Sequence, residues 1–99
     1  MIRHIVLFKM KPFSDAASRL SKLSEIKVAL EDLTQKVPEL LRAEAGINMN
    51  PAEDYDLSLT CDVNSMDDLE VYANHPDHVA VKHIIREVLE ARACVDYEV

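Results

Sequence analysis

The stretch Tyr72-Ala-Asn-His-Pro-Asp-His78 divides the second half of the chain into two predicted helices. Pro76 ends a helix that reaches it from the N-terminal side, but proline is favoured as the first residue of a new helix. Before this junction, Ser65 is a candidate N-cap, and the residues that share one side of the helix are Met66, Leu69 and Tyr72. After the junction, one helical face carries His78, Val81, Ile85 and Val88 or Leu89.

The rest of the chain adds four strands and one more helix. Residues 2–10 form a nearly continuous apolar run, whereas residues 55–63 alternate cleanly between apolar and polar. An apolar stripe at steps of three and four predicts a helix from the cap Ser14-Asp15 to Pro38. A weaker strand is predicted at 41–49, with a possible bulge at Gly46, and a final strand is predicted at about 92–99. The order β-α-β-β-α-β, with a split second helix, predicts an α+β domain with the ferredoxin-like fold.

The first strand is apolar on both of its faces. Ile5 and Leu7 alternate with Val6 and Phe8, yet the helices of this fold cover only one face of the sheet. A second copy of the chain would bury the other face and gain roughly 25 cal/mol for each Å² of apolar area. We therefore expect a homodimer that forms through the sheet face, as a dimeric α/β barrel.

Size and charge narrow the functions further. The 99 residues suffice for a single domain over 1–99, and the net charge of −7 disfavours nucleic acid and anionic membrane surfaces as partners. No run is long enough to span a membrane, and the N-terminal apolar run is too short for a signal peptide, so we expect a cytoplasmic protein. Cys61 and Cys94 fit neither a disulfide framework nor a zinc site, and we expect no cofactor and no metal.

Three segments together resemble the stress-responsive A/B barrel (Dabb) family. They are the opening Met-Ile-Arg-His-Ile-Val-Leu-Phe-Lys-Met-Lys, the segment Asn74-His-Pro-Asp-His-Val-Ala-Val-Lys82, and the ending Arg92-Ala-Cys-Val-Asp-Tyr-Glu98. The resemblance covers essentially the whole chain and implies a ferredoxin-like monomer that pairs into an α/β barrel. The family includes olivetolic acid cyclase, an enzyme that closes a linear polyketide by aldol condensation.

Likeness to this cyclase implies roles for individual residues. His78 would be the general base, Tyr72 would assist it, and Asp96 on the last strand would orient the histidine, while His4 matches a histidine of the cyclase's pocket. A second pocket histidine of the cyclase is replaced here by Leu57. We expect the ligand to contact five residues of the first and third strands: His4, Val6, Phe8, Leu57 and Leu59.

The chemistry of the residues allows two interpretations of His78. Its ordinary pKa near 6.5 suits a proton shuttle, Asp96 could fix its tautomer, and the Tyr72 hydroxyl could donate to an oxyanion. Alternatively, the histidine and the aspartate bond to each other and only hold the sheet against the helix. His75 is predicted to cap the helix that begins at Pro76, because it directly precedes that proline. A metal site formed by His75, Asp77 and His78 is disfavoured, because the proline break spoils the helical spacing of the ligands.

Three functional hypotheses follow. The first is a homodimer that binds a small molecule between sheet and helices without turnover. The second is a lyase or cyclase that uses His78 as base and Tyr72 as acid or oxyanion donor. The third is a multimeric stress-protection protein.

Overall fold

Four strands and three helices account for most of the chain. The computed structural model describes all 99 residues, and its strands are β1 (Ile2–Met10), β2 (Arg42–Ile47), β3 (Leu57–Val63) and β4 (Leu89–Glu98). The helices are α1 (Ala16–Asp32), which a 3₁₀ turn at Leu33–Gln35 extends, α2 (Met66–Asn74) and α3 (Pro76–Val88). The strands form one antiparallel sheet in the order β2-β3-β1-β4, so the predicted ferredoxin-like fold is confirmed.

Side-chain caps fix where the helices begin. The Asp15 carboxylate accepts a hydrogen bond of 2.7 Å from the Ser18 amide at the start of α1, and the Ser65 hydroxyl accepts one of 3.1 Å from the Asp68 amide at the start of α2. At the junction of α2 and α3, the His75 ring accepts from the amide of Asp77 at 3.1 Å. His75 therefore caps α3, as predicted from the His75-Pro76 pair.

Two element boundaries and one predicted bulge differ from the prediction. The α-helical part of α1 ends at Asp32, because the chain tightens into the 3₁₀ turn well before Pro38. Gly46 lies in regular register opposite Ser58 and forms no bulge; a Cβ there would lie 3.2 Å from the Ser58 hydroxyl, a close contact. β4 begins at Leu89, directly after α3, instead of near Arg92, and its one register shift against β1 lies between Lys9 and Met10.

The helices cover one face of the sheet. The buried stripe of α1, formed by Leu23, Ile26 and Leu30, belongs to the same core as Val6 and Phe8 of β1. The opposite face of the sheet is open in the single chain, where Leu7 is 38% and Val95 is 55% exposed. The prediction that β1 is buried on both faces therefore holds within one chain for the helix side only.

No helix of the structure combines the length and the apolar character that crossing a membrane requires.

Candidate functional site

A partly open cavity of about 560 Å³ lies between the sheet and the two helices that meet at His75-Pro76. The size is in the range of sites that hold small organic molecules. Its apolar lining includes Val6, Phe8, Leu30, Leu59, Leu69 and Ile85. Its polar lining comprises His4, Tyr72, His78, Cys94 and Asp96, together with the cationic side chains of Lys82, Arg86 and Arg92.

The ring of His78 is held in one tautomer. Its Nδ1 lies 2.8 Å from the carbonyl oxygen of Ala73, which can only accept, so Nδ1–H donates and the lone pair is on Nε2. Nε2 has no hydrogen-bond partner within the chain and is not sealed from solvent. Burial lowers the pKa of His78 below its ordinary value. The hydrogen bond to Ala73 acts in the opposite direction, whereas the nearby charges of Lys82 and Arg92 lower the pKa further. At neutral pH the residue is thus an unprotonated base.

Tyr72 lies beside this base. Its ring centroid is 4.4 Å from that of His78, the rings are tilted by 49°, and the residue is 1% exposed. The only partner of the hydroxyl within the chain is the thiol of Cys61, at 3.8 Å, a long contact to a sulfur that is weak both as donor and as acceptor. Burial, followed by the proximity of Cys61, raises the pKa of Tyr72 far above its ordinary value. The hydroxyl therefore stays protonated and, with no strong acceptor in the chain, can donate to a ligand.

Asp96 pairs with His4, and the prediction that it orients His78 is wrong. The two residues lie directly opposite each other on β4 and β1, and His4 Nδ1 donates to the Asp96 carboxylate at 2.5 Å. The Cys94 thiol donates to the same carboxylate oxygen at 3.7 Å. The partner of His78 is instead a backbone carbonyl on its own side of the cavity. The His4 ring meets that of Tyr72 edge-on, at a centroid distance of 6.5 Å, so Asp96 is connected to Tyr72 and His78 only through His4.

Most of the residues predicted to contact a ligand line the cavity. His4, Val6, Phe8 and Leu59 do so, whereas Leu57 does not. Leu57 lies between Phe8 of β1 and Ile47 of β2 in the sheet and packs in the hydrophobic core outside the lining.

The prediction missed the three cations of the lining. Lys82 and Arg86 follow His78 at intervals of four residues along α3, and this spacing places them on the same side of the helix. Arg92 has the parity of Asp96 on β4 and therefore faces the same way. Both spacings were available in the sequence, but without the fold they give no sign that these charges surround a cavity.

One group of potential metal ligands lies in the lining. His4 Nδ1, Cys94 Sγ and an Asp96 oxygen all lie within 4.8 Å of one another. Hydrogen bonds from His4 and Cys94 to Asp96 already link these three side chains, so their proximity has an explanation without an ion. At the other end of the motif, His75 caps α3 and His78 bonds to Ala73, and the two rings serve separate backbone groups.

Comparison with known proteins places this arrangement in a family. The family model for the stress-responsive A/B barrel domain matches residues 2–99. The chain belongs to this family. Membership agrees with the ferredoxin-like topology and confirms the resemblance seen in the opening, central and closing segments. A search of curated proteins finds no match.

Two solved structures of similar sequence are described as dimeric ferredoxin-like proteins of unknown function. The one from Bacteroides fragilis is 40% identical, with a TM-score of 0.93 over 99% of this Dabb chain and 95% of its own. The one from Thermobifida fusca is 29% identical, with a TM-score of 0.83 over 99% and 90% of the two chains. Hydroxynitrile lyase from Passiflora edulis shares the fold at 17% identity, with a TM-score of 0.79 over 97% and 90%.

Proposed function

We propose that this Dabb protein binds a small organic molecule in the cavity between sheet and helices and catalyses an acid–base step on it. The observation that carries the proposal is the pairing of His78 and Tyr72 in the lining of one cavity, with ring centroids 4.4 Å apart. The neutral histidine offers a lone pair at Nε2, and the protonated tyrosine offers a hydrogen-bond donor. A base and a donor side by side are the two groups that cleavage or formation of a carbon–carbon bond next to a carbonyl requires.

The proposed reaction is of the lyase or aldol type. In the cleavage direction, His78 Nε2 removes the proton of a substrate hydroxyl, and the electrons of the O–H bond form a carbonyl as the adjacent carbon–carbon bond breaks. The electron pair of the broken bond moves onto the leaving fragment. For an aldol this fragment is an enolate, whose oxyanion accepts a hydrogen bond from Tyr72; for a cyanohydrin it is cyanide, which carries no oxyanion. The histidinium then returns its proton to the leaving carbon. Condensation is the same sequence reversed.

His4 and Asp96 are assigned a positioning role. The Asp96 carboxylate accepts the Nδ1–H of His4, and this bond fixes the His4 ring edge-on to the tyrosine. A His4 ring that is fixed beside Tyr72 limits the positions that the phenol can adopt.

Among proteins of this fold, the enzyme from Passiflora edulis is by its name a hydroxynitrile lyase. The reaction of such a lyase also breaks a carbon–carbon bond after a hydroxyl loses its proton.

Two probes test the proposal through one product. Mandelonitrile and 4-hydroxy-4-phenylbutan-2-one both release benzaldehyde on cleavage, and its absorbance can be followed continuously. We expect the wild-type protein to accelerate release from at least one of them, and His78→Gln to abolish the acceleration. Benzaldehyde release at the same rate with the wild type, with His78→Gln and without protein would contradict the catalytic function.

We also propose that the open sheet face is the surface of a homodimer. Similar proteins from several bacteria are described as dimeric, and the face carries an apolar centre on neighbouring strands, formed by Ile5, Leu7, Ala93 and Val95. Val95→Asp would place a charge on each protomer in that centre. We expect sedimentation velocity to report a monomer for this variant and a dimer for the wild type and for Val28→Asp, a control whose side chain is 59% exposed on α1. A dimeric Val95→Asp protein would exclude this face.

A cytoplasmic location is part of the same proposal. Both cysteines are free, and Cys94 is exposed, as is usual for proteins of reducing compartments.

A further inference from the structure

The cations of this acidic chain are unevenly paired. Six of the eleven lysine and arginine side chains lie within 4.0 Å of a carboxylate. The five without such a partner are Lys11, Lys36, Lys82, Arg86 and Arg92, and the last three all line the cavity. The only carboxylate of the lining is Asp96, which already accepts from His4 and Cys94. The cavity therefore carries unneutralised positive charge in a chain whose net charge is −7.

The three charges border the space beside the base. Lys82 and Arg86 extend the helical row that starts at His78, and Arg92 faces them from β4, where it lies opposite Phe8. The electrostatic influence of both Lys82 and Arg92 reaches the His78 ring. Cations from two elements thus line the same cavity as Val6, Phe8 and Leu59, which form its apolar floor.

Unpaired cations that approach one another repel, and such an arrangement is stabilised when an anion lies between them. Arginine also offers two parallel N–H groups that match the two oxygens of a carboxylate. The negative charge of the rest of the chain disfavours large polyanions such as nucleic acids, but a small anion is surrounded mainly by the local field.

We propose that the ligand of this cavity is a small organic carboxylate, whose apolar body lies on the floor and whose carboxylate is held by Lys82, Arg86 and Arg92. This inference rests on the proposed role of the cavity in binding a small molecule, and it specifies the class of that molecule. The carboxylate end lies toward the cations of α3 and β4, and the remaining carbon chain extends toward Tyr72 and His78.

A matched pair of probes tests the charge alone. Hexanoate and hexanamide have the same carbon chain and nearly the same shape, and only the first is anionic at neutral pH. Titration of each into ¹⁵N-labelled full-length protein, followed by two-dimensional NMR, measures weak dissociation constants and shows which amides respond. We expect hexanoate to bind roughly tenfold more tightly, with responses on α3 and β4, because charge-assisted hydrogen bonds contribute about that factor at a partly solvated site.

Variants assign the preference to the named residues. Arg86→Gln and Arg92→Gln should each reduce the ratio of the two dissociation constants by roughly fivefold. Lys36→Gln removes an equally unpaired cation outside the cavity and should leave the ratio within about twofold, since distant charges are screened. Equal binding of the two probes by the wild type, no binding of either, or a ratio that all three variants lower alike would overturn the proposal.

The outcomes separate this inference from the proposed catalysis. A preference for hexanoate in a protein that releases no benzaldehyde from either catalytic probe would leave carboxylate binding intact and remove the reaction. Benzaldehyde release by a protein that binds hexanoate and hexanamide equally would leave the reaction and overturn the carboxylate.

Discussion

Removal of the Tyr72 hydroxyl by Tyr72→Phe is expected to lower activity without lowering stability. The residue is 1% exposed, and the only partner of its hydroxyl in the chain is the Cys61 thiol, a weak acceptor at 3.8 Å. Burial of a donor that is paired so weakly costs up to about 1–3 kcal/mol. The only bond that the substitution removes is the one from the Cys61 thiol, whose 3.8 Å length and weak donor make it worth less than about 1 kcal/mol.

The balance of these two contributions favours the variant. We expect Tyr72→Phe to unfold with a free energy between unchanged and about 2 kcal/mol higher, which for a domain of this size raises the melting temperature by up to roughly 10 °C. The phenyl ring keeps its packing against His78, so the base is undisturbed. The loss of an oxyanion donor should still reduce benzaldehyde release from 4-hydroxy-4-phenylbutan-2-one by about 10²–10³-fold.

The measurement needs a constant protein concentration, since the stability of a dimer depends on it. We would compare the free energies of unfolding of the wild type, Tyr72→Phe and the control Tyr55→Phe by urea unfolding and thermal melts. Tyr55 lies outside the cavity, and its substitution should change the free energy of unfolding by less than about 0.5 kcal/mol. If Tyr72→Phe loses activity and also unfolds several degrees earlier, the hydroxyl has a structural partner and is not a free donor.

Three more predictions concern the core and two titrating groups. In urea unfolding, Leu23→Ala should lower the free energy of unfolding by about 2–5 kcal/mol, because Leu23 is 0% exposed. The control Leu20→Ala should lower it by less than about 0.5 kcal/mol, because Leu20 is 56% exposed on the same helix. The guanidinium of Arg3 binds both carboxylate oxygens of Asp62 and lowers the pKa of that carboxyl. The ionised carboxylate therefore stabilises the fold at pH values above its unfolded pKa of about 3.9, and this stabilisation is lost as the pH falls through the lower pKa of the folded state. Asp62→Asn should therefore be less stable than the wild type at pH 7, and its melting temperature should fall less as the pH is lowered. A melting temperature that falls with pH as steeply as that of the wild type would contradict the pairing. Because the pKa of His78 lies below 6.5, kcat/KM should rise with pH through that pKa and level off before neutrality. Lys82→Gln should move this rise to higher pH, because the charge of Lys82 lowers the pKa of His78. The pH dependence of kcat/KM and NMR titration of the His78 ring check both results.

The features that follow from short-range rules were predictable from the sequence. Pro76 ends one helix and begins the next whatever the rest of the chain does, and Ser65 and Asp15 cap helices through amides only three residues away. The alternation of residues 55–63 likewise fixed which side chains of β3 face the core. These local preferences agree with one another, so the order of elements, and with it the fold, could be inferred.

The partner of Asp96 could not be inferred in this way. Its position on β4 gave the correct face of the sheet, but the choice between His4 and His78 depends on the register of β4 against β1 and on the height of α3 above the sheet. The cations of the cavity were missed for a related reason. Lysine and arginine on a helix normally face solvent, and nothing in the spacing of Lys82 and Arg86 shows that this side of α3 borders a cavity.

The break at His75-Pro76 also explains how the base acquires its tautomer. In a continuous helix the carbonyl of Ala73 would accept from the amide of Asp77, but here that amide donates to the ring of His75. The carbonyl is thereby free, and it accepts the Nδ1–H of His78 at 2.8 Å. Since that proton is then fixed on Nδ1, the lone pair must be on Nε2, the atom without a partner in the chain. The residue that caps α3 and the residue proposed as the base are thus coupled through two backbone groups, which gives the His-Pro-Asp-His segment a chemical consequence as well as a structural one.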